Sequence, residues 1–231
     1  FALTMGQVSG SDGVTTLTDA QAMSVTLTGV ELWVGVGGTL DNTGNNDATN
    51  AATFEDDAVG SGDIGFYGSV ASLKFATLKV GTATPTDLTD DVSYLGVEVT
   101  GLTASLIGLE DILVFNAWGI NIQVNSASDA DPATAPNPAK LNWSGFTVTD
   151  GIALPTFTMD ASVDLHAEGN VALNLLDGLV VAKSAFALTM GQVSGSDGVT
   201  TLTDAQAMSV TLTGVELWVG VGGTLDNTGN N

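Results

Sequence analysis

The sequence predicts an all-β protein, built as an antiparallel meander. Three observations carry that expectation. Apolar and polar residues alternate with period two through most of the readable segments, as in strands with one dry and one wet face. The 29 glycines are far too many for helices. Residues 186–231 repeat residues 1–46 letter for letter, so residues 1–185 are one full period and 186–231 open the next.

Taken in order, Asp12-Gly13 is the first hairpin signal, because tight mirror-image turns need positive φ. Thr18–Met23 has room for a short turn of helix at most. Met23–Val36 reads as a strand whose apolar phase shifts at Thr28-Gly29, which predicts a bulge. Gly38–Asp63 is rich in Asp, Asn, Gly, Ala and Thr and reads as a long surface loop. Val70–Val80, Leu95–Ile107 and Ile112–Val124 follow as strands. Asn125–Lys140 holds three of the five prolines and reads as a second loop or linker. Leu141–Val148 returns to strand, and Asp150-Gly151 and Gly169-Asn170 carry further turn signals. In the next strand Val163, Leu165, Ala167, Val171, Leu173 and Leu175 alternate with Asp164, His166, Glu168, Asn170 and Asn174. Asp177-Gly178 turns it onto a strand running from Leu179 through Phe186 to Met190, and Asp197-Gly198 repeats the first turn.

A period of 185 residues is far beyond the 20–50 of ordinary solenoid coils. Two architectures remain. One is a string of sandwich-like beads joined at Asn125–Lys140 or Gly38–Asp63. The other is an elongated tube or doubled sheet that continues from one copy to the next. The junction Ser184-Ala185-Phe186 has no linker character and lies inside the best strand run, so continuity is expected. Phe1 opens inside a repeated segment without an initiator Met, which suggests a window cut from a longer polymer.

Charge narrows the function classes. Asp and Glu total 26 against four Lys and no Arg, a net charge of −22. Such a polyanion repels nucleic acid and anionic membranes, which need Lys and Arg to neutralise phosphate. No run approaches the ~18 apolar residues of a membrane helix. Aromatics are only 6%, too few for the girdles of an outer-membrane barrel. There are no cysteines, hence no disulfide, thiolate metal site or Cys nucleophile. That composition fits an exported bacterial fibre.

The best metal-loop candidate is Asp41-Asn42-Thr43-Gly44-Asn45-Asn46-Asp47, where Asp41, Asn45 and Asp47 present oxygen ligands around a glycine. Glu55, Asp56 and Asp57 would add ligands if that segment folds back. Ca²⁺ is the cation this set would take, although the EF-hand spacing is missing and a solvated loop of Asx-turns explains the same residues. Asp129 with Asp131, and Asp90 with Asp91, are weaker versions of the pattern. No GxSxG elbow, phosphate loop or HExxH is present, so no catalytic residues are assigned and an enzyme is not expected. His166, alternating with Asp164 and Glu168, reads as a surface histidine. Trp33 and its copy Trp218 fall opposite Val30, Leu32, Val34 and Val36 and are expected to point outward beside Glu31. There they would pack on a neighbouring layer or stack on surface glycans. Trp118 and Trp143 are expected in the core or an interface.

Two stretches carry a family likeness. One runs from Tyr94-Leu95-Gly96-Val97 through Ala104-Ser105-Leu106-Ile107-Gly108-Leu109-Glu110-Asp111-Ile112 to Ile122-Gln123-Val124-Asn125. The other is Thr211-Leu212-Thr213-Gly214-Val215-Glu216-Leu217-Trp218-Val219-Gly220-Val221-Gly222-Gly223. Together they resemble repeats of the giant tandem-repeat secreted and surface proteins of bacteria, the adhesin-like group. The resemblance implies an extracellular or cell-surface chain whose partners are identical neighbouring repeats assembling into fibres. The leading expectation is the structural repeat of a long filament or surface fibre. Its rivals are the stalk of a receptor-binding adhesin and a Ca²⁺-dependent surface-layer protein.

Overall fold

The computed structural model describes residues 1–41, 57–81, 91–129 and 138–225. It is all-β. The strands are β1 (Ala2–Ser11), β2 (Thr16–Val36), β3 (Thr39–Asp41), β4 (Ala58–Gly60), β5 (Ile64–Val80) and β6 (Val92–Ile107), then β7 (Leu113–Asp129), β8 (Thr147–Gly151), β9 (Val163–Leu175), β10 (Val180–Ser196) and β11 (Thr201–Val219). Nine of them form one sheet in the order β11-β10-β9-β7-β6-β5-β2-β1-β8, with every pairing antiparallel. β3 and β4 make a separate two-stranded ribbon within the segment expected to be loop.

Strands of 13 to 21 residues make this sheet tall, and a 17-residue strand spans roughly 55 Å. Such length is accommodated by a row of interruptions. Gly29, Gly101, Gly119 and Gly214 all take positive φ between 61° and 65°, where a side chain would be strained. Pairing steps over them, from Thr28↔Ser72 to Val30↔Val70 and from Trp118↔Asn170 to Asn121↔Glu168. The bulge predicted at Gly29 is not one, since β2 and β5 keep register across it, but Gly29 is one member of a crease that crosses the sheet. Gly169-Asn170 belongs to the same row and lies inside β9, where Gly169 faces a bulge at Gly119-Ile120 of β7, and is not a turn. Thr18–Met23 is strand as well; its irregularity is a bulge at Asp19, with φ of 50°, and not a helical turn.

Among the described residues the strands of the large sheet follow a meander except for one excursion. After β7 the chain leaves the sheet, crosses one face, adds β8 beside β1, and returns over that face to start β9. We call residues 138–162 the strap. The segment expected to be a strand at Leu141–Val148 is instead an extended approach and a 3-10 turn, Trp143–Gly145, before β8. A strand there would have alternated its apolar groups to both sides. The turn instead aims Trp143 at the sheet.

The core lies between strap and sheet. Leu141, Trp143, Phe157 and Met159 from the strap close over Val8, Leu17, Ala20, Ala22, Ala76, Leu78 and Tyr94. Each large side chain buried this way contributes about 1.5–3 kcal/mol. Trp143 and Phe157 meet as a tilted aromatic pair with centroids 5.0 Å apart. The opposite face carries an apolar row across eight strands: Leu3, Val25, Phe75, Val97, Val124, Leu165, Met190 and Met208 are direct cross-strand neighbours in turn. Its ends, including Leu3, Met190 and Met208, are exposed. Leu32, Val34 and Val36 are exposed too, so the set expected to face inward lies in the open. Trp118, expected in a core or interface, is partly exposed on β7.

Candidate functional site: the join between copies

The first copy of the repeat meets the second inside a pair of bonded strands. β9 pairs with β10 from Leu175↔Val180 to Val163↔Gly191, passing through Asn170↔Ala185 and Gly169↔Phe186. The hairpin that starts it, at Leu176, Asp177 and Gly178, holds three consecutive positive φ values of 52°, 50° and 86°. The positive φ that the Asp-Gly signal called for is there, in a loop of residues 176–179 and not a two-residue turn. No linker stands at residues 185 and 186.

The same edge has a second user. On β1, which shares its sequence with residues 187–196 of β10, it is β8 that pairs, with Val8↔Gly151, Ser9↔Asp150, Gly10↔Val148 and Ser11↔Thr147. On β10 the β9 pairing ends at Gly191, the counterpart of Gly6. The two neighbours therefore occupy different halves of one strand edge.

Glycines seat the strap. A Cβ at Gly6 would lie 2.6 Å from Ile152 Cγ2, and one at Gly10 would lie 2.8 Å from the Phe146 ring. At Gly96 it would meet Trp143 at 2.8 Å and Met159 at 2.9 Å. Glycine inside a strand usually weakens it, and here it lets another chain segment approach closely.

Polar groups then fix the strap in register. Asn125 is fully buried, donates through Nδ2 to Leu141 O (2.8 Å) and Asp160 O (2.9 Å), and accepts from Trp143 Nε1 (3.0 Å). It thereby clamps both limbs of the strap. Glu98 accepts from Lys74 Nζ at 2.7 Å and from the amide (2.9 Å) and hydroxyl (2.7 Å) of Thr158. Burial pushes its carboxyl up, but Lys74 and Thr158 outweigh that and hold it below its usual value. Asp12 in the first turn accepts from Thr15, Val14 and, across 130 residues, from Asn142 N at 2.8 Å. Burial raises its carboxyl too, and those amides bring it below its usual value. Lys140 binds Asp164 and donates to Val163 O at 2.9 Å, stapling the start of the strap to its end. All four lysines are in ion pairs, so the surface charge is left to the acids.

No family model, curated protein or solved structure matches this chain.

The candidate cation ligands are only partly on view. Asn45, Asp47, Glu55 and Asp56 lie outside the described residues. The β3–β4 ribbon places Asp41 opposite Ala58, next to Asp57, so the two ends of the acidic segment are held side by side. Asp57 Oδ1 is buried without a hydrogen-bond partner. Among the described residues no group of three or more His, Asp or Glu side chains is arranged to hold a metal ion. Asp91 pairs with Lys79 at 2.7 Å, and Asp90 and Asp131 lie outside the described residues.

Trp33 stands opposite Tyr67, whose hydroxyl donates to Glu31 Oε1 at 3.2 Å. It is not a free outward ring, however. The indole lies against Gly35, Gly38 and Gly65, and its copy Trp218 is half exposed. His166 Nδ1 lies 3.0 Å from Thr189 Oγ1, and Nε2 lies 3.6 Å from Glu168 Oε2. Sequence reasoning missed Asn125, Glu98 and the three seating glycines. Glu98 carried a legible signal: an acid between Val97 and Val99, with one of only four lysines available to match it.

Proposed function

We propose that this chain is the structural repeat of a long extracellular filament or cell-surface fibre, of the kind built by giant tandem-repeat, adhesin-like surface proteins of bacteria. One observation carries the reading: the strand that opens the second copy is bonded to the last strand of the first across the seam, from Val180 to Gly191. Direction supports it. From β1 to its counterpart β10 the sheet passes β2, β5, β6, β7 and β9, six strand positions in all. An even number of antiparallel steps returns β10 in the orientation of β1. Identical copies therefore add to one sheet by the same operation each time. The apolar row on the face away from the strap, half-buried at its centre and exposed at its ends, supports a layered fibre, because exposed apolar surface marks a contact site.

Electron microscopy of the native material tests this. Six strands at 4.7–4.9 Å predict an axial repeat of about 29 Å in a filament of constant width. Beads of one 185-residue domain each would instead repeat at about 40 Å or more, and would favour an adhesin stalk. Compact isolated particles would refute both.

A calcium-stabilised surface layer is the second reading, supported by the buried, unpartnered Asp57 Oδ1 beside Asp41. Calorimetric titration with CaCl₂ should give binding heat that Asp57→Asn abolishes. An absence of heat in the unmodified chain would end that reading.

A further inference from the structure

The two copies of the hairpin fold alike and are covered differently. Met5↔Met23, Val8↔Ala20 and Gly10↔Leu17 recur as Met190↔Met208, Val193↔Ala205 and Gly195↔Leu202. The bulge recurs as well, with φ of 50° at Asp19 and 47° at Asp204. So does the turn, where Asp12 accepts from Val14 at 2.9 Å and Asp197 from Val199 at 2.8 Å. Yet Val8 is 0% exposed and Val193 48%, while Leu17 is 3% exposed and Leu202 49%. Ser24 is buried and its copy Ser209 is open. Gly10 has the Phe146 ring at 2.8 Å, whereas nothing lies within 4 Å of Gly195. Two things differ: the strap lies over the first hairpin, and β2 has β5 alongside it where β11 is a sheet edge.

We infer that the bare face of the β10–β11 hairpin is the docking site for the strap of a following copy, a segment with the sequence of residues 138–162. The inference deepens the filament reading and rests on its continuity. The first copy shows what this sequence binds: Phe146 over Gly10, Ile152 over Gly6, β8 along Val8–Ser11, and Asn142 N on Asp12. Every one of those receptors is present again at Gly195, Gly191, Val193–Ser196 and Asp197. The edge is also free where it must be. β9 stops at Gly191, two residues short of Val193, where a second β8 would begin. Contact between successive straps is tightest over Gly191, whose Cβ position lies 2.4 Å from Ser162 O. That carbonyl takes the place Ile152 holds over Gly6, so the second Ile152 seats beside it and not directly over Gly191. Docking a strap on every copy makes each period complete only when its own excursion returns across the strands that began it.

Because the chain has no cysteine, a single thiol reports one site. Ser24→Cys and Ser209→Cys would each be placed in the 231-residue chain and in a chain extended past Asn231 by residues 47–162 of the same sequence. Thiol labelling is then timed. In the 231-residue chain Ser209→Cys should label about tenfold or more faster than Ser24→Cys, since a covered thiol reacts only when the strap opens. Extension should slow Ser209→Cys to the rate of Ser24→Cys. A fast Ser209→Cys beside a slow Ser24→Cys in the extended chain overturns the inference. Protection that appears in the 231-residue chain and grows with its concentration assigns the face to a second molecule, and overturns it too. Because extension also adds a copy of β5 beside β11, a synthetic peptide of residues 138–162 at saturating concentration is the second probe. Failure of the peptide to protect Ser209→Cys in the 231-residue chain then counts against docking. The filament reading fails separately: a protected Ser209→Cys without filaments in the microscope keeps the docking and ends the filament.

Discussion

Adding one methyl group at equivalent positions of the two copies should have opposite effects. In Gly10→Ala the new Cβ would sit 2.5 Å from Thr147 O and 2.8 Å from two carbons of the Phe146 ring. Ordinary contact needs roughly 1 Å more, and the oxygen belongs to backbone held in the β1–β8 ladder. Either β8 shifts outward or the ring leaves its seat. Overpacking of this kind costs about 1–3 kcal/mol. In Gly195→Ala the methyl meets nothing within 4 Å, and the residue is not among those of positive φ. There the substitution only restricts the unfolded chain, a gain of about 0.4–1 kcal/mol. The two variants should therefore differ by about 1.5–4 kcal/mol although their local sequences are identical. Urea unfolding followed by tryptophan fluorescence, to which Trp143 in the strap core contributes, measures the difference. Equal shifts in the two variants would refute the placement of the strap over β1.

Three further outcomes follow from the same geometry. Asn125→Ala removes two donors and an acceptor from buried partners at Leu141, Asp160 and Trp143, and should lower stability by about 3 kcal/mol or more; a loss under about 1 kcal/mol in urea unfolding would show that the clamp is dispensable. The folded Glu98 carboxyl lies below its ordinary 4.5, so its stabilisation is present above pH 4.5 and lost as pH falls through the lower, folded value. Thermal unfolding between pH 7 and pH 3 should show that acid loss, and Glu98→Gln should flatten it. Val210→Glu with Leu212→Glu places charge on the exposed apolar face of β11 and should reduce light scattering severalfold at equal concentration; unchanged scattering would show that this face plays no part in association.

How far the sequence reveals this molecule depends on the range of each interaction. The alternation in Val163–Leu175 reports a strand directly, because a pleated backbone sends successive side chains to opposite faces. Asp177-Gly178 and Gly29 are equally local, since each answers to a φ that only certain residues adopt easily. The seam at Phe186 was legible for the same reason: strand pattern runs through it. The strap was not. Its buried groups come as two pairs at strand spacing, Leu141 with Trp143 and Phe157 with Met159, too short to tell a crossing segment from a strand, and the first pair sits behind a proline-rich stretch that reads as a linker. Its partners are far away, Asn142 meeting Asp12 across 130 residues, and nothing local encodes such a crossing. Gly6, Gly10 and Gly96 show only that a side chain is missing, not what comes to occupy the space. Alternation likewise marks Leu32, Val34 and Val36 as an apolar face without saying whether anything covers it.

The charge belongs with the edges and faces rather than with any one site. A meander ends in strands whose outer N–H and C=O groups recruit other chains, and here β11 is such an edge, 19 residues long and backed by apolar Met208, Val210 and Leu212. The four lysines are drawn into pairs with Glu98, Asp91, Asp164 and Glu216, so the charge presented outward is almost wholly negative. Stacked sheets lie about 10 Å apart, close to the Debye length in 0.1 M salt. Repulsion between acidic chains thus acts at the distance where apolar faces would meet. Strand-to-strand addition within one chain faces no comparable barrier, because covalent continuity holds the next copy at the edge. A long acidic meander with apolar faces is in this way biased to grow along its axis before it thickens, and growth along an axis is what a fibre requires.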